Sequence, residues 1–199
     1  MNSKNNRRAK MTKLLFHNAL LELMQEKPFS KITIKEICEQ ADLNRTTFYL
    51  HYADQNELLK EIERDTCQKT HEYIKKLDTA SDISELITAL LKYIKQNHII
   101  FNTLFSSGET DWFQVELVQN VLIKVYDKFP DFRNTAYKNY IIGSLMHGTC
   151  HMIIEWINNR FDLKESELAA LIIAFSSSAE NVRDNVEKPL YKTRDRSGS

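Results

Sequence analysis

TIKEICEQADLNRTTFYLHY, residues 33–52, decides how the rest of the chain is read. Its spacing describes two short helices joined by a tight turn. Thr33 and Glu36 stand in the T-x-x-E relation of a capping box, directly ahead of apolar residues. Ile34, Ile37 and Ala41 share one side of the first helix and give it a narrow apolar stripe. Asp42 and Leu43 interrupt the pattern; Asp accepts the left-handed backbone that ends a helix, though less readily than Gly. Asn44 is a strong N-cap for a second helix over 45–52, in which Phe48 and Tyr52 pack inward. Arg45, Thr46, Thr47 and Tyr49 are left on its outward first turn. A guanidinium, two hydroxyls and a phenol suit base edges and phosphates. The stretch reads as a helix-turn-helix with its recognition helix at 45–52, although two such helices also occur in many all-helical proteins with no nucleic acid to bind.

Charge favours the first reading. Residues 1–13 hold Lys4, Arg7, Arg8, Lys10 and Lys13 and no acid, a net of +5. Residues 1–60 carry 10 basic and 7 acidic side chains, so +3, and the remaining 139 carry 17 and 20, so −3. The zero formal charge of the whole chain conceals a basic head and a mildly acidic body, as expected where one end meets phosphate.

Residues 10–60 resemble the DNA-binding domain of TetR-type bacterial transcriptional regulators. The likeness runs through LLFHNALLELMQEKPFSKITIKEICEQADLNRTTFYLHYADQNELL and rests on Thr33, Ile37, Cys38, Ala41, Thr47-Phe48-Tyr49 and His51-Tyr52, followed by Asp54 and Glu57. Four positions depart from the family pattern: Asp42 replaces the usual turn Gly, Asn44 the usual Ser cap, and Pro28 a common Gly. Gln55 stands where many members have a phosphate-touching Lys. The outward residues make Arg45, Thr46 and Thr47 the candidates for base contacts, with Arg45 the best suited to guanine; the family resemblance bears on the phosphates. It implies phosphate contacts from Thr33, Lys35, Tyr49 and His51, with Asn44 at the same edge as the cap.

Working outward, the first helix is expected over about 10–26, broken at Pro28, with residues 1–9 a mobile basic arm. That arm is either a source of phosphate or minor-groove contacts or a solvated tail. A second capping box, Asp54 with Glu57, starts a long helix over about 54–78, which by the resemblance is the lever between head and body. The body reads as helices over about 82–97, 98–107, 112–129, 134–159 and 165–186, with loops at 106–111 and 129–134. The organisation expected is all-α: a helix-turn-helix domain at 1–60, an effector-binding and dimerisation bundle at 61–187, and a disordered tail at 188–199. Four Gly and three Pro in 199 residues agree with long helices and few tight turns.

The last two helices are apolar on more than one face, so they should be buried on two sides. A second subunit is the natural cover for one of them, and in TetR-type proteins two helices per subunit form a four-helix interface. Leu145, Ile153, Trp156, Leu168, Ile172 and Phe175 are the expected contacts, with Gly143 and Gly148 allowing close approach. Residues 141–172 also resemble the C-terminal domain of one TetR subgroup. The family holds a small, often apolar effector inside this bundle, for which Tyr93, Phe101, Phe105, Trp112, Phe113 and His147 are the candidate lining, with plain core the alternative.

His147, Cys150 and His151 lie at i, i+3 and i+4, a geometry able to begin a zinc site, but no partnering Cys or acid cluster follows nearby. No metal and no cofactor is expected. Three scattered cysteines suit a reducing cytoplasm, no run of about 18 apolar residues predicts a membrane span, and polar His17, Asn18 and Glu22 argue against a signal peptide. G-x-S-x-G, H-E-x-x-H, a P-loop, a dinucleotide fingerprint and C-x-x-C are all absent, so an enzyme would need a constellation assembled only in space. The expected partners are a double-stranded operator, a second copy of the chain and an unidentified small effector. A ligand-responsive repressor is the leading reading; an activator or co-activator of the same fold, or a helical enzyme or interaction module, are the alternatives.

Overall fold

Arg, Lys, Ala and Leu, all good helix formers, recur through residues 7–24, and no Gly or Pro intervenes before Pro28. The computed structural model, which describes residues 3–76, 82–106, 112–117 and 138–177, accordingly shows one unbroken helix, α1 (Ser3–Glu26). The basic segment is thus helical from Ser3 onward and not a mobile arm. Helix propensity carries a run of like charges that composition suggested would stay loose.

Pro28 ends that run and is followed by a 3-10 turn at Phe29–Lys31. The helix-turn-helix follows as α2 (Ile34–Gln40) and α3 (Arg45–Tyr49), then α4 (Gln55–Lys76), α5 (Ile83–Gln96) and α6 (His98–Ser106). Residues 112–117 form α7, Lys138–Asn158 α8, and 165–177 α9. Every regular element among the described residues is helical, so the fold is all-α, with a helix-turn-helix ahead of a C-terminal helical domain. The expected helical stretches at 118–129, 134–137 and 178–186, the loop segments at 107–111 and 129–134, and the tail at 188–199 fall outside the described residues.

The chain divides into two compact units. The first contains Met1–Glu72 and Asn97–Phe113. Within it α1 packs on α2 and on α6. Phe16, Leu20, Ile37, Phe48 and Leu58 are fully enclosed. The ring of Phe16 meets Phe48 edge-on at 5.2 Å between centroids, and Tyr52 closes the cluster at 5.6 Å from Phe48. Burying each such ring stabilises the unit by roughly 1.5–3 kcal/mol. This cluster fixes α3, which at five residues has no stability of its own. A second aromatic group, Phe101, Phe105 and Phe113, is buried in the same unit, with centroids 5.5–6.4 Å apart.

The second unit contains Tyr73–Gln96 and Gln114–Ser199. Leu86, Leu90, Leu91 and Ile94 line the buried side of α5. A Cβ on Gly148 would lie 2.7 Å from Cε1 of Phe175, so that glycine is what lets α8 and α9 approach there. Gly143 has nothing within 4 Å of the same position among the described residues, and it does not mediate the approach. At the end of α8, Phe161 N–H donates to Trp156 O at 2.8 Å and Arg160 N–H to Ile157 O at 3.0 Å. This is a Schellman motif, with φ of 56° at Arg160 and 63° at Phe161 where Gly would be the relaxed choice at the first. Trp156 Nε1–H donates to Leu163 O at 2.8 Å, and the Lys95 ammonium lies 5.8 Å from the Trp156 ring centre while pairing with Glu165 at 2.8 Å.

Candidate nucleic-acid interface

Thr33 accepts the Glu36 backbone N–H at 3.3 Å, and Glu36 accepts the Thr33 N–H at 2.9 Å, the reciprocal box that the sequence specified. Lys27, nine residues upstream, adds an ion pair to the same carboxylate. That hydrogen bond from Lys27, followed by those from Thr33, holds the Glu36 carboxyl down to about 2. At the other end of α2, Leu43 N–H donates to Cys38 O at 2.9 Å and Asp42 N–H to Glu39 O at 3.2 Å. Asp42 takes φ of 53°, the left-handed corner of a second Schellman motif. The turn residue therefore performs the job of the Gly it replaces.

Asn44 then opens α3: its side-chain oxygen accepts the Thr47 N–H at 2.7 Å and the Thr47 hydroxyl at 3.0 Å. The helix is shorter than the expected 45–52, since it stops at Tyr49 with Leu50 as its cap; His51 and Tyr52 continue in a turn. Phe48 and Tyr52 face inward, as their spacing required. Arg45 and Thr46 are exposed, Tyr49 is 57% exposed, and Thr47 and His51 are half-buried. Arg45, Thr46 and Tyr49 thus stand outward together on one short helix. Asn44 and Thr47 are engaged with each other, and Thr33 with Glu36, so their polar atoms serve the scaffold first. Lys35 is exposed and lies 3.6 Å from Glu39 one turn on, a loose surface pair that a phosphate can displace.

Leu50 is the residue that sequence reasoning passed over: at 77% exposure it is an apolar side chain at the tip of the recognition helix. Its i+1 position beside Tyr49 was the available signal, because a Leu out of phase with Phe48 and Tyr52 must face water or a partner.

The six residues proposed to line an effector pocket fall in both units. Phe101, Phe105 and Phe113 cluster in the first unit, where Trp112 is 45% exposed. Tyr93 lies in the second unit, stacked on Tyr73 at 4.6 Å, and His147 is exposed on α8. Of the six dimer candidates, Leu145, Ile153, Trp156, Leu168 and Ile172 are buried within the single chain, and Phe175 is half-buried over Gly148. The outward apolar residues are instead Tyr140, 77% exposed, and Leu171, 49% exposed. His147 and His151 are exposed, whereas Cys150 is buried, donates to Gln114 O at 3.1 Å and has its thiol pushed up to about 12 by burial. The three do not converge.

Residues 18–62 match a family model described as bacterial regulatory proteins, tetR family, and residues 81–178 match one described as a transcriptional regulator C-terminal region. The chain belongs to the TetR family of bacterial transcriptional regulators. Among curated proteins it is 27% identical over 105 residues to the HTH-type dhaKLM operon transcriptional activator DhaS of Lactococcus lactis subsp. lactis (strain IL1403), a match over 51% of this chain. The chain spans about half the length of that relative, 52%. Among solved structures it resembles a TetR transcriptional regulator from Streptococcus agalactiae 2603V, with a TM-score of 0.68 and 24% identity over 86% of this chain and 97% of that one. A dihydroxyacetone kinase operon activator, DhaS, gives a TM-score of 0.55 at 21% identity, again over 86% and 97%. These two structural likenesses speak for the fold. No helix among the described residues is long and apolar enough to cross a membrane.

Proposed function

We propose that the chain binds a palindromic operator as a homodimer, reads its bases through Arg45 and Thr46 beside Thr47 with Tyr49 on phosphate, and represses transcription until a small effector binds its C-terminal body. The observation that carries the reading is the division of labour on α3. Phe48 and Tyr52 anchor it in the core, while Arg45, Thr46 and Tyr49 stand in solvent. One helix of five residues reaches only a few base pairs. Two held about 34 Å apart by a two-fold axis read a pair of half-sites one DNA turn apart.

The outward side of α8 and α9 suits such an axis. Tyr140 and Leu171 offer exposed apolar surface there, with His147 and His151 on the same helix as Tyr140. The residues first expected at the interface hold the chain's own helices together and leave these outer ones for a second copy. An effector changes operator affinity only by binding one arrangement of the two heads better than the other. Activation is the second reading, favoured by the similarity to an activator over half the chain. An operator that overlaps the promoter gives repression, and one upstream of it gives activation.

Selection of bound fragments from genomic DNA, followed by titration at several salt concentrations, tests the proposal. A palindromic site whose affinity falls steeply with salt is the expected result. Binding that shows no sequence preference would return the chain to the interaction-module or enzyme alternatives. Transcription in vitro from the recovered promoters distinguishes repression from activation.

A further inference from the structure

Behind the recognition helix, three elements of the first unit bring a donor set together that the DNA-binding reading does not use. His17 projects from α1, and Glu61 and Asp65 from successive turns of α4. One ligand atom from each lies within 4.8 Å of the others, and all three residues are half-buried. Tyr52, two residues beyond the cap of α3, adds its hydroxyl 3.3 Å from His17 Nε2. We propose that His17, Glu61 and Asp65 form a site for a divalent first-row transition-metal ion that ties α1 to α4.

The chemistry of the set favours such an ion. One imidazole and two carboxylates are borderline-to-hard donors, suited to Mn²⁺, Fe²⁺, Co²⁺ or Zn²⁺ and unsuited to soft Cu⁺. Two carboxylates balance a dication. Glu61 and Asp65 at i and i+4 share one face of α4, so a single ion reaches both with only a small side-chain adjustment. Burial lowers the His17 pKa against the opposing pull of Glu61 and Asp65. Tyr52 stays protonated, because burial and the nearby carboxylates raise its pKa, and it remains a hydrogen-bond donor at the edge of the site. It is a positioning residue there.

Lys13 is the competitor. Its ammonium contacts both Glu61 oxygens, at 2.7 and 2.8 Å, and supplies the positive charge that the cluster otherwise lacks. Its side chain is 36% exposed, so it can leave for solvent when a dication arrives. Lys69 also lies near enough to act on His17 and stays opposed to the ion. This competition separates the proposal from a plain ion-pair staple. If Lys13 merely holds α1 to α4, removing it only weakens the fold; if it guards a metal site, removing it strengthens metal binding.

The test uses the full chain without DNA, so its outcome is independent of operator binding. Thermal unfolding is followed with and without Mn²⁺ or Zn²⁺ after chelator treatment, alongside direct titration of Mn²⁺ by electron paramagnetic resonance. Saturating metal raises the wild-type Tm by about 5–10 °C. Lys13→Ala binds Mn²⁺ about tenfold more tightly, since one opposing charge is gone. His17→Ala and Asp65→Asn lose the Tm response, and the second keeps the local volume should the first fold poorly. The variant His147→Ala/His151→Ala keeps it. A Tm unmoved by millimolar metal in both wild type and Lys13→Ala, weaker binding by Lys13→Ala, or a response that survives Asp65→Asn would each overturn the site.

Discussion

The side-chain oxygen of Asn44 takes two hydrogen bonds from Thr47, one from the backbone N–H at 2.7 Å and one from the hydroxyl at 3.0 Å. Both residues had the chemistry of DNA contacts, and both are first of all parts of a cap. Asn44→Ala should cost about 1 kcal/mol of stability. Operator affinity falls with it, because a frayed α3 must be reordered on binding. Asn44→Ser should recover most of both losses, measured by urea unfolding and by fluorescence anisotropy of a labelled operator. Full operator affinity in a destabilised Asn44→Ala variant would show that α3 is ordered by the DNA instead.

Arg45 and Tyr49 are exposed on the same helix but should fail differently. Arg45→Ala relaxes discrimination by about 1–3 kcal/mol at one base pair of each half-site. Tyr49→Phe removes only a hydroxyl that meets phosphate, so it weakens every site alike. Titration against a panel of single-base operator variants reads the difference. Uniform loss in Arg45→Ala would contradict the assignment of that residue to a base.

Glu36 predicts a pH dependence of known sign. Its carboxyl is held down to about 2 in the fold from an ordinary 4.5 by Lys27 and Thr33. A depressed carboxylate contributes stability that is present above the unfolded value and lost as pH falls through the folded one. The stability difference between wild type and Glu36→Gln should thus be largest above pH 5 and shrink toward pH 2, by calorimetry across that range. Lys27→Met should flatten the same curve. A difference that grows on acidification would reverse the sign and refute the pairing.

Gly148 and Phe175 make a steric prediction in the second unit. A methyl at Gly148 meets the Phe175 ring at 2.7 Å, so Gly148→Ala should destabilise by about 1–3 kcal/mol. Phe175→Leu added to it should recover part of that loss by giving the methyl room. Gly143→Ala, which meets no described residue within 4 Å, should instead stabilise α8 by up to about 1 kcal/mol. Equal costs at the two glycines in chemical denaturation would mean that the α8–α9 approach is not set by residue 148.

The elements legible in the sequence are those set by neighbours a few residues apart. Thr33 with Glu36 and Asn44 ahead of Phe48 form as their spacing specified, while Asp54 caps Glu57 N–H at 2.9 Å and the Glu57 carboxylate turns to Ala53 N–H at 2.6 Å in place of the reciprocal bond. The carry-over of Gly's role to Asp42 was legible for the same reason. Two things were not. The outer and inner sides of α8 and α9 cannot be told apart in sequence when both are apolar; the structure buries Leu145 and Ile153 within the chain and exposes Tyr140 and Leu171. Long-range pairs leave no periodic trace either: Lys13 with Glu61, 48 residues apart, and Lys27 with Glu36 appear only once α1 is folded against its neighbours.

The packing of α6 on α1 has a practical consequence for protein engineering. The compact unit that holds the recognition helix includes Asn97–Phe113, residues that come long after the head in the chain. A fragment that ends after α4 would uncover the side of α1 that α6 protects, and would expose apolar surface to aggregation. Chimeras that graft this head onto the effector half of a relative should carry α6 along with it, as a cassette in two pieces.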